Sequence, residues 1–397
     1  MTEFTIASFN VKNLIGPEKE YYRFEQYTAE EYAWKADWLA DQILSLDSDI
    51  VAFQEIFEED SLRDVITETN ARGAAANAAV IPDETKRYAR KAIFKRLAFL
   101  PYEPLHLAFA PNSQDGPPGS RRPGLALLSR FPFEGEAEVL QDLPDPLSIP
   151  FSDLGGQDGG AYIIRQTSRP ILKVRVRIGG HVITILNCHL KSKLGEYPRP
   201  EGGGPAPEAD LTDYQPAGRA LGALRSALRR MAEAWILRGA ALKCLAAGEP
   251  LIVLGDFKEG EHAVSSAIIA GERPFKDYAW MRRHDARDAS DRYSREEDAK
   301  IREDIDAVRL HSAEKLFVRK SLRDMVYTTA FGGVFESIDQ IFLSRHFHPS
   351  FPDRIGEKEY FSNFNDHLTD GSHPEAPYNK LVSDHGQIMA HLRLREG

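Results

Sequence analysis

Alternating and continuous apolar runs predict strands along much of the chain. Residues 4–11 alternate apolar and polar positions and end at Asn10, as a half-buried strand does. The runs at 49–53, 124–129 and 251–255 are short and continuously apolar, which indicates buried strands. Further strands are predicted at 171–177 and 181–190, which Gly179-Gly180 splits into a hairpin, at 337–343 and at 387–394.

Between these predicted strands, apolar residues recur at the spacing of a helix. Thr28 and Glu31 form a capping-box pattern before a helix that is predicted to continue to about Leu46. The Ala-rich residues 71–99 and residues 217–247 are predicted to be helical as well. Because several strands run as hairpins, the order of elements favours two packed sheets flanked by helices over a doubly wound sheet.

Three long segments interrupt the regular pattern, and we expect them to be insertions in one domain that spans 1–397. Residues 195–216 are rich in Gly, Pro and acids, and residues 346–381 are predicted to be an irregular loop. In 280–310, dense charges of both signs predict a solvated helix. The first and last of these segments flank polar residues of interest, so we hypothesise that they select the ligand.

Composition and charge narrow the class of protein. The net charge is -10 and the pI is about 5.7, which argues against broad, non-specific duplex binding but is compatible with one basic cleft. Cys188 and Cys244 form neither a disulfide framework nor a C-x-x-C pattern, so we expect a reduced, cytoplasmic setting. We expect no signal peptide and no membrane span. No protein partner is indicated, and a monomer is the expectation.

Polar residues that can carry chemistry lie at the ends of the predicted strands. Glu55 follows an apolar strand, and a carboxylate there suits a hard divalent cation such as Mg²⁺. Asn10 ends the neighbouring strand and could support the same ion or a phosphate oxygen. Asp256 could bind an attacking water or a second metal. Each of these residues alone would more often be a structural strand terminus.

The pair Asp384-His385 contains the acid/base candidate. An imidazole titrates near neutral pH, so His385 could accept a proton from an attacking water. Such a ring works best when a carboxylate fixes its tautomer, and Asp339 at the start of another strand is the natural partner. His189, with Lys191 close behind it, could donate hydrogen bonds to a phosphate.

Six islands of this kind, in this order, resemble the endonuclease/exonuclease/phosphatase superfamily of deoxyribonuclease I type. The resemblance extends from Phe4 to about Leu394 and implies an α+β fold, a four-layered α/β sandwich of two central mixed sheets flanked by helices. It also implies dependence on Mg²⁺ or Mn²⁺. The six islands are residues 6–10, 49–55, 186–192, 252–257, 337–342 and 382–386.

The resemblance implies a role for each polar residue. The residues with implied catalytic roles are His189, Asp256, Asp339 and His385, and the implied metal ligands are Asn10, Glu55 and Asp384. His385 is either the general base or a group that stabilises the phosphate. Arg169 is similar to a family arginine near the mouth of the site. The candidate substrate-binding residues are Lys258, Arg169, Lys191 and Asn13.

One position departs from the family pattern. The family has Asn two residues after the aspartate of its Gly-Asp motif, whereas this chain has Lys258. A lysine there could bind phosphate as a point charge, could lower the pKa of Asp256, or could mark altered activity.

Three functions follow as hypotheses. The first is a metal-dependent phosphodiesterase of nuclease type, acting on a phosphodiester such as DNA or RNA. The second is a phosphatase on a small phosphorylated molecule, such as a phosphosugar, an inositol phosphate or a lipid headgroup. The third is an inactive scaffold, with Lys258 as its only support. A nuclease should place cations at the rim, and the candidates are Arg121, Arg122, Arg169, Lys191 and Lys193.

Two histidines of the last long segment, His367 and His373, are open to more than one interpretation. They could contact a phosphate or a metal, but the irregular surroundings favour solvated loop residues.

Overall fold

A computed structural model describes most of the chain. The described ranges are 2–22, 25–79, 98–150, 161–197, 209–274, 276–283, 289–318, 326–370 and 379–395. Parts of the predicted helix 71–99 and of the three predicted insertions lie outside these ranges, and so does His373.

Fourteen strands occur in the described residues. In chain order they are β1 (Thr2–Leu14), β2 (Ile50–Ile56), β3 (Leu107–Ala110), β4 (Gly124–Ser129), β5 (Glu138–Pro150), β6 (Ala161–Ile178), β7 (His181–His189), β8 (Leu251–Asp256), β9 (Leu310–Ser312), β10 (Thr329–Phe331), β11 (Val334–Glu336), β12 (Asp339–Ser344), β13 (Gly356–Phe364) and β14 (Gln387–Leu394).

Most of these strands form two six-stranded mixed sheets. The first has the order β13-β14-β1-β2-β4-β3, and the second has the order β5-β6-β7-β8-β12-β9. Each sheet contains one parallel pair near its middle, β1 with β2 and β7 with β8, while the other neighbours are antiparallel. Each parallel pair is joined by a helical connection, as parallel pairing requires.

Six α-helices accompany the sheets within the described ranges. They are α1 (Ala29–Leu46), α2 (Glu59–Ala79), α3 (Pro216–Ala246), α4 (Val264–Ala270), α5 (Arg295–Val308) and α6 (Ala313–Val318). The predicted capping box at α1 is confirmed, because Thr28 accepts from the Glu31 amide and Glu31 bonds back to the Thr28 amide. Among the residues described, no helix combines the length and the apolar character that a bilayer crossing requires.

Most buried apolar residues belong to an inner core or to one of two outer cores. Ile6 of β1 and Ile252 of β8 belong to one buried cluster, so the two sheets pack face to face. The opposite side of the first sheet packs on α1 and α2, where Ile43 and Val65 are buried. The opposite side of the second sheet packs on α3 through Leu237. The predicted four-layered α/β sandwich is therefore confirmed.

The strands and helices predicted from the sequence agree with most of the observed elements, but some observed elements begin or end at other residues. The hairpin at Gly179-Gly180 is confirmed, with positive φ angles of 53° and 87° that suit a tight turn between β6 and β7. Helix α2 starts at Glu59, twelve residues before the Ala-rich stretch that predicted it. The solvated helix in 280–310 is confirmed as α5, which buries none of its residues.

The prediction of an irregular loop at 346–381 is wrong for its central part. Residues 356–364 form the edge strand β13, which pairs antiparallel with β14 from Gly356 to Phe364. The sequence there is rich in charge and alternates poorly, so it has no strand pattern of its own. The strand exists because the edge of β14 offers backbone partners, which is a tertiary interaction.

The hairpin of β10 and β11 was not predicted either. Its turn is Gly332-Gly333, with φ angles of 63° and 72°. The tip presents three apolar side chains to solvent: Phe331, Val334 and Phe335 are 67%, 59% and 58% exposed.

Glu314 of α6 makes the stability of this fold depend on pH. Burial, with Glu261 nearby, raises the pKa of Glu314 from 4.5 to about 7. The folded protein therefore holds this proton more tightly than the unfolded chain, so the stabilisation is complete below pH 4.5 and is lost as the pH rises to 7.

We expect Glu314→Gln to be more stable than the wild type by about 1–3 kcal/mol at pH 8 and nearly equal to it at pH 4.5. Urea unfolding at the two pH values measures this difference. The exposed Glu303→Gln in α5 is the matched control and should show no such pH dependence. A difference for Glu314→Gln that is the same at both pH values would contradict the prediction.

Candidate active site

The carboxyl-terminal parts of the two parallel strand pairs bring four polar residues to one edge of the sandwich. Asn10 lies opposite Gln54 in the pairing of β1 with β2, and Glu55 follows next. His189 and Asp256 face each other where β7 and β8 end. Because parallel strands end at the same side of a sheet, each pair delivers its polar residues together.

Two antiparallel neighbours bring the remaining residues to the same edge. Asp339 begins β12 directly opposite Asp256 of β8. His385 precedes β14, which runs antiparallel to β1. The hydroxyl of Ser383 donates to the Asn10 carbonyl at 2.6 Å and accepts from the His385 amide at 3.0 Å. Ser383 thus ties the His385 segment to the first sheet.

His385 and Asp339 form a buried dyad. The Nδ1 of His385 lies 2.8 Å from Oδ2 of Asp339. Its Nε2 faces Oδ2 of Asp256 at 3.6 Å and the Asn10 amide nitrogen at 3.4 Å. Burial disfavours a charged ring, but the carboxylates of Asp339 and Asp256 outweigh it and raise the pKa of His385 to about 9. The dyad can therefore hold or move a proton at Nε2.

A second group lies beside the dyad and has the residue types that bind a divalent cation. Glu55, His189 and Asp256 each offer a ligand atom within 4.8 Å of the others. The Asn10 amide nitrogen lies 3.1 Å from Oε1 of Glu55 and 2.9 Å from Oδ2 of Asp256, so Asn10 bridges the two carboxylates. Carboxylate oxygens are ligands that Mg²⁺ and Mn²⁺ prefer, so Glu55 and Asp256 suit such an ion.

The state of His189 supports a bound group at this place. Neither ring nitrogen has a hydrogen-bond partner among the described residues, although Nε2 is 3.3 Å from Oδ2 of Asp256. Burial, together with the charge of Arg169, holds the pKa of His189 well below its usual range. A neutral, buried and unbonded imidazole is costly unless a ligand completes it, so the residues present fit a metal and its phosphate.

The backbone is strained where these residues project. Glu55 has a φ of 66° and causes a register shift in β2 between Gln54 and Ile56. The prediction that the strand ends before Glu55 is therefore wrong, because β2 continues and Glu55 bulges from it. Lys12, Asn13 and Lys258 also have positive φ angles of 53°, 61° and 59°. Such conformations cost free energy and concentrate at functional sites.

Gly255 lies where strands β7 and β8 approach each other closely. Its φ is 140°, and a Cβ at this position would overlap the carbonyl oxygen of Cys188 in β7. Only glycine allows β7 and β8 to approach so closely before Asp256.

Lys258 contacts Asp256 through two groups. Its backbone N–H donates to Oδ1 of Asp256 at 2.9 Å, and its Nζ lies 2.5 Å from Oδ2. The same Nζ is 3.4 Å from Nε2 of His385. Burial opposes ionisation of Asp256, but Lys258 and His385 hold its pKa well below the usual range. Strand β8 ends at Asp256, so Lys258 lies beyond it, but the Lys258 ammonium still contacts Asp256 and His385.

The other candidate residues lie at varying positions around this centre. Asp384 is exposed and belongs to neither candidate metal group, so its role as a ligand stays a prediction. Asn13 contacts Glu55 with its backbone N–H at 3.2 Å. Arg169 donates to the carbonyl of Leu190, next to His189, at 3.3 Å. The ammonium of Lys191 bonds within its own loop, to Leu194 at 3.1 Å.

The predicted rim cations are partly neutralised by carboxylates. Arg121 pairs with Glu58 at 3.1 Å, and Lys193 pairs with Glu336 at 2.7 Å. Arg122 lies near Arg169, and desolvation together with that charge lowers the pKa of Arg122. These pairs leave less positive potential at the rim than the sequence alone predicts.

His367 is not the solvated loop residue that was predicted. Its Nε2 lies 2.9 Å from the carbonyl oxygen of His385, and its ring packs against Trp38 at 5.3 Å between centroids. Burial lowers its pKa. His367 therefore helps to hold the backbone of His385 in place through its contact with the His385 carbonyl.

Sequence reasoning missed two residues that hold the site together. Lys35 of α1 is fully buried and donates to the carbonyls of Val11 and Leu381 at 3.0 and 3.1 Å. It joins the segment after Asn10 to the segment before His385. Its signal was a lysine four residues before Leu39 on the apolar stripe of α1. Ser383 is the other, and its signal is the hydroxyl two residues before His385.

Comparisons with solved structures find similar chains at low sequence identity. An endonuclease/exonuclease/phosphatase family protein from Bacteroides thetaiotaomicron is 13% identical, with 98% of this chain and 97% of that chain covered and a TM-score of 0.48. The catalytic domain of human Nocturnin is 14% identical, with 99% and 95% covered and a TM-score of 0.47. A humanized D. rerio TDP2 is 13% identical, with 99% and 100% covered and a TM-score of 0.46.

No curated protein sequence is significantly similar to the chain. The sequence does match the endonuclease/exonuclease/phosphatase family over residues 7–257, which is more than half of its length. That span contains Asn10, Glu55, His189 and Asp256, which lie in the carboxyl-terminal parts of the two parallel pairs. The chain therefore belongs to the endonuclease/exonuclease/phosphatase family, whose members hydrolyse phosphoric esters.

Proposed function

We propose that this protein is a divalent-metal-dependent phosphodiesterase that cleaves nucleic acid. The observation that carries the proposal is the dyad of His385 and Asp339 placed directly beside the group of Glu55, His189 and Asp256. Hydrolysis of a phosphodiester needs an oriented water, a group that exchanges protons and a positive environment for the phosphate. The two neighbouring groups supply these requirements at one edge of the sandwich.

Glu55 and Asp256 would hold Mg²⁺ or Mn²⁺, with the side chain of Asn10 between them. A bound cation of this kind neutralises phosphate charge and favours ionisation of a coordinated water. His189 is neutral and has no hydrogen-bond partner among the described side chains, so its N–H is available to a phosphate oxygen.

The remaining steps belong to the side chains of the dyad and to Asp256. Asp339 accepts from Nδ1 of His385 and so fixes the tautomer in which Nε2 faces the site. Because the pKa of His385 is raised to about 9, Nε2 carries a proton near neutral pH and can donate it to a phosphate oxygen, and it can accept a proton from the attacking water once the ring has lost its own. Asp256 lies 3.6 Å from Nε2 and can orient that water by accepting a hydrogen bond.

The hairpin of β10 and β11 supports a substrate with a flat apolar part. Its base touches the site loops, since Gly386 donates to the Thr328 carbonyl and Glu336 accepts from the Gly260 amide. Its tip carries the exposed rings of Phe331 and Phe335. Bases of single strands stack on such rings, which favours a nucleic acid over a phosphosugar.

The experiment that tests the proposal compares three substrate classes. Bis-p-nitrophenyl phosphate, a single-stranded oligonucleotide and a panel of phosphomonoesters are each incubated with Mg²⁺ or Mn²⁺. We expect diester and oligonucleotide cleavage that chelation by EDTA abolishes and that Glu55→Gln removes. Turnover of monoesters alone would replace the proposal with the small-molecule phosphatase, and no turnover with metal bound would favour the inactive scaffold.

The hairpin gives a separate prediction about binding. Phe335→Ser is expected to raise KM for the oligonucleotide about 5- to 100-fold, because one stacked base contributes about 1–3 kcal/mol. KM for bis-p-nitrophenyl phosphate should change much less, since binding of this small diester does not need the tip of the β10–β11 hairpin. Trp280→Ser, an equally exposed aromatic residue, is the control. Equal changes on both substrates would argue against base stacking.

Lys35 gives a prediction about positioning. Lys35→Met should lower kcat for the diester about 10- to 100-fold, because the segments at Val11 and Leu381 lose their shared donor and small displacements are costly. KM should change little. Steady-state kinetics, with circular dichroism to check folding, measure the effect. Lys300→Met, an exposed lysine of α5, is the control, and unchanged kcat in Lys35→Met would disprove the role.

A further inference from the structure

One buried carboxylate of α3 joins three segments beside the candidate active site. Glu233 is 1% exposed, and its two oxygens accept from the backbone N–H groups of Ser168 and Lys191, each at 2.7 Å. The Nε of Arg229 lies 3.5 Å from Oε1 of the same carboxylate. Arg169 follows Ser168 directly in the chain. Three cationic residues, Arg169, Lys191 and Arg229, are therefore gathered around Glu233.

The loop that follows His189 is fixed to α3 by further contacts. Arg230 donates to the carbonyls of Lys191 and Ser192 at 3.3 and 3.4 Å. The hydroxyl of Ser226 donates to the Ser192 carbonyl at 2.6 Å. Arg230 and Ser226 are both buried. A loop held by buried partners keeps its side chains in one place, which reduces the entropy that a ligand must cost on binding.

Two of the gathered cations have only neutral partners. Arg169 donates to the Leu190 carbonyl at 3.3 Å, and the ammonium of Lys191 donates to the Leu194 carbonyl at 3.1 Å. Within the described part of the chain, neither side chain forms an ion pair with a carboxylate, whereas Glu196 pairs with Arg229 at 3.0 Å. The chain has a net charge of -10, so carboxylates are abundant elsewhere. This group has an excess of positive charge that the protein itself does not neutralise.

The cations of the group repel one another, and Arg122 belongs to the same field. Burial lowers the pKa of Lys191 to about 8, and the charges of Arg169 and Arg229 act in the same direction against Glu196. Desolvation and the same two charges lower the pKa of Arg122. Like charges that are held close together are unfavourable until an anion binds between them.

The group lies next to the place of the scissile phosphate. Lys191 is two residues after His189, and Arg169 is near enough for its charge to contribute to the low pKa of His189. The scissile phosphate already has the metal ligands Glu55 and Asp256 on its other side. Guanidinium and ammonium groups are the usual partners of phosphate oxygens. The additional cations therefore suit another phosphate of the same substrate.

We propose that Arg122, Arg169 and Lys191, held in place by Glu233 and Arg229 of α3, form a second anion site that binds another phosphate of the substrate beside the scissile one. The inference rests on the proposed function and specifies a substrate with at least two phosphates. A neighbouring phosphodiester of a polynucleotide and a terminal phosphate share this chemistry.

The test compares matched chromogenic substrates with one or two phosphates, in the presence of Mg²⁺. The p-nitrophenyl ester of thymidine 5′-phosphate is paired with the same ester that carries a 3′-phosphate, and the p-nitrophenyl ester of thymidine 3′-phosphate is paired with the one that carries a 5′-phosphate. In at least one pair, kcat/KM of the wild type should be about 10- to 100-fold higher for the bisphosphate, a factor typical of hydrogen bonds between charged groups.

Arg122→Gln and Lys191→Met should each lose most of this preference, and Arg175→Gln, an exposed arginine of β6, should keep it. Equal losses on both members of a pair would indicate a structural effect and overturn the inference. If Lys191→Met does not fold, the exposed Arg122 still provides the test. Methylation of the second phosphate distinguishes the two sources, because a retained preference indicates a neighbouring phosphodiester and a lost preference indicates a terminal phosphate.

The failure of the inference differs from the failure of the proposed function. Hydrolysis without any preference for the second phosphate would overturn the inference alone. Absence of hydrolysis would refute the proposed function, and calorimetric titration of the metal-free protein with inorganic phosphate would then decide about the second anion site. The wild type should bind phosphate at least about tenfold more tightly than Arg122→Gln. Equal affinities, or no binding by the wild type, would overturn the inference.

Discussion

His385→Gln is expected to lower kcat for diester hydrolysis by about 10²- to 10⁴-fold, the usual contribution of a positioned acid or base. Glutamine is close in size to histidine and can still occupy the pocket between Asp339 and Asp256, but it cannot exchange a proton near neutral pH. KM should change by less than about tenfold, because the metal group and the hairpin still bind substrate.

Single-turnover kinetics with Mn²⁺ and bis-p-nitrophenyl phosphate would measure this loss without interference from product release. His262→Gln is the matched control, because the His262 side chain is 79% exposed. Thermal melting of both variants shows whether the fold is retained. A folded His385→Gln with more than a tenth of the wild-type kcat would contradict the assignment of His385 as the group that exchanges the proton.

Asp339→Asn is expected to have an effect of similar size, about 10²- to 10⁴-fold on kcat. The carboxamide has nearly the shape of the carboxylate, but its N–H can donate to Nδ1 of His385. That contact stabilises the wrong tautomer, in which Nδ1 has no proton and Nε2 carries it. Burial raises the pKa of Asp339, while the adjacent His385 opposes that shift. The two residues should therefore behave as one unit.

A double-mutant cycle separates this role from a purely structural one. Combining Asp339→Asn with His385→Gln should cost little more than His385→Gln alone, because a tautomer matters only when the imidazole is present. Additive losses would indicate that Asp339 acts independently of His385. Mn²⁺ affinity should be close to wild type in both single variants, since neither residue belongs to the group around Glu55.

Much of the architecture and most of the site could be predicted from local sequence. Runs such as 251–255 become strands because continuous apolar residues are stable only when both faces are buried. The end of such a run is where the chain first reaches water, so a polar residue there, as at Asp256, belongs to the edge of the sheet. His189 and Asp339 follow the same rule, whereas the prediction that the first strand ends at Asn10 is wrong, because β1 continues to Leu14.

Other features depend on partners that are distant in sequence. Strand β13 has no strand pattern and forms only because β14 offers an edge. His367 was predicted to be solvated, yet it packs on Trp38 and bonds the His385 carbonyl. Lys35 joins Val11 and Leu381, segments that are far apart in the chain.

The sequence by itself determined which polar residues lie near the predicted strand ends, because apolar runs and residue types are local properties. Only the tertiary structure decided how those residues are connected. The contacts of Lys258 with Asp256 and His385 depend on a left-handed backbone and on the convergence of three strands. Such distances arise from packing between the two sheets, and no local pattern encodes them.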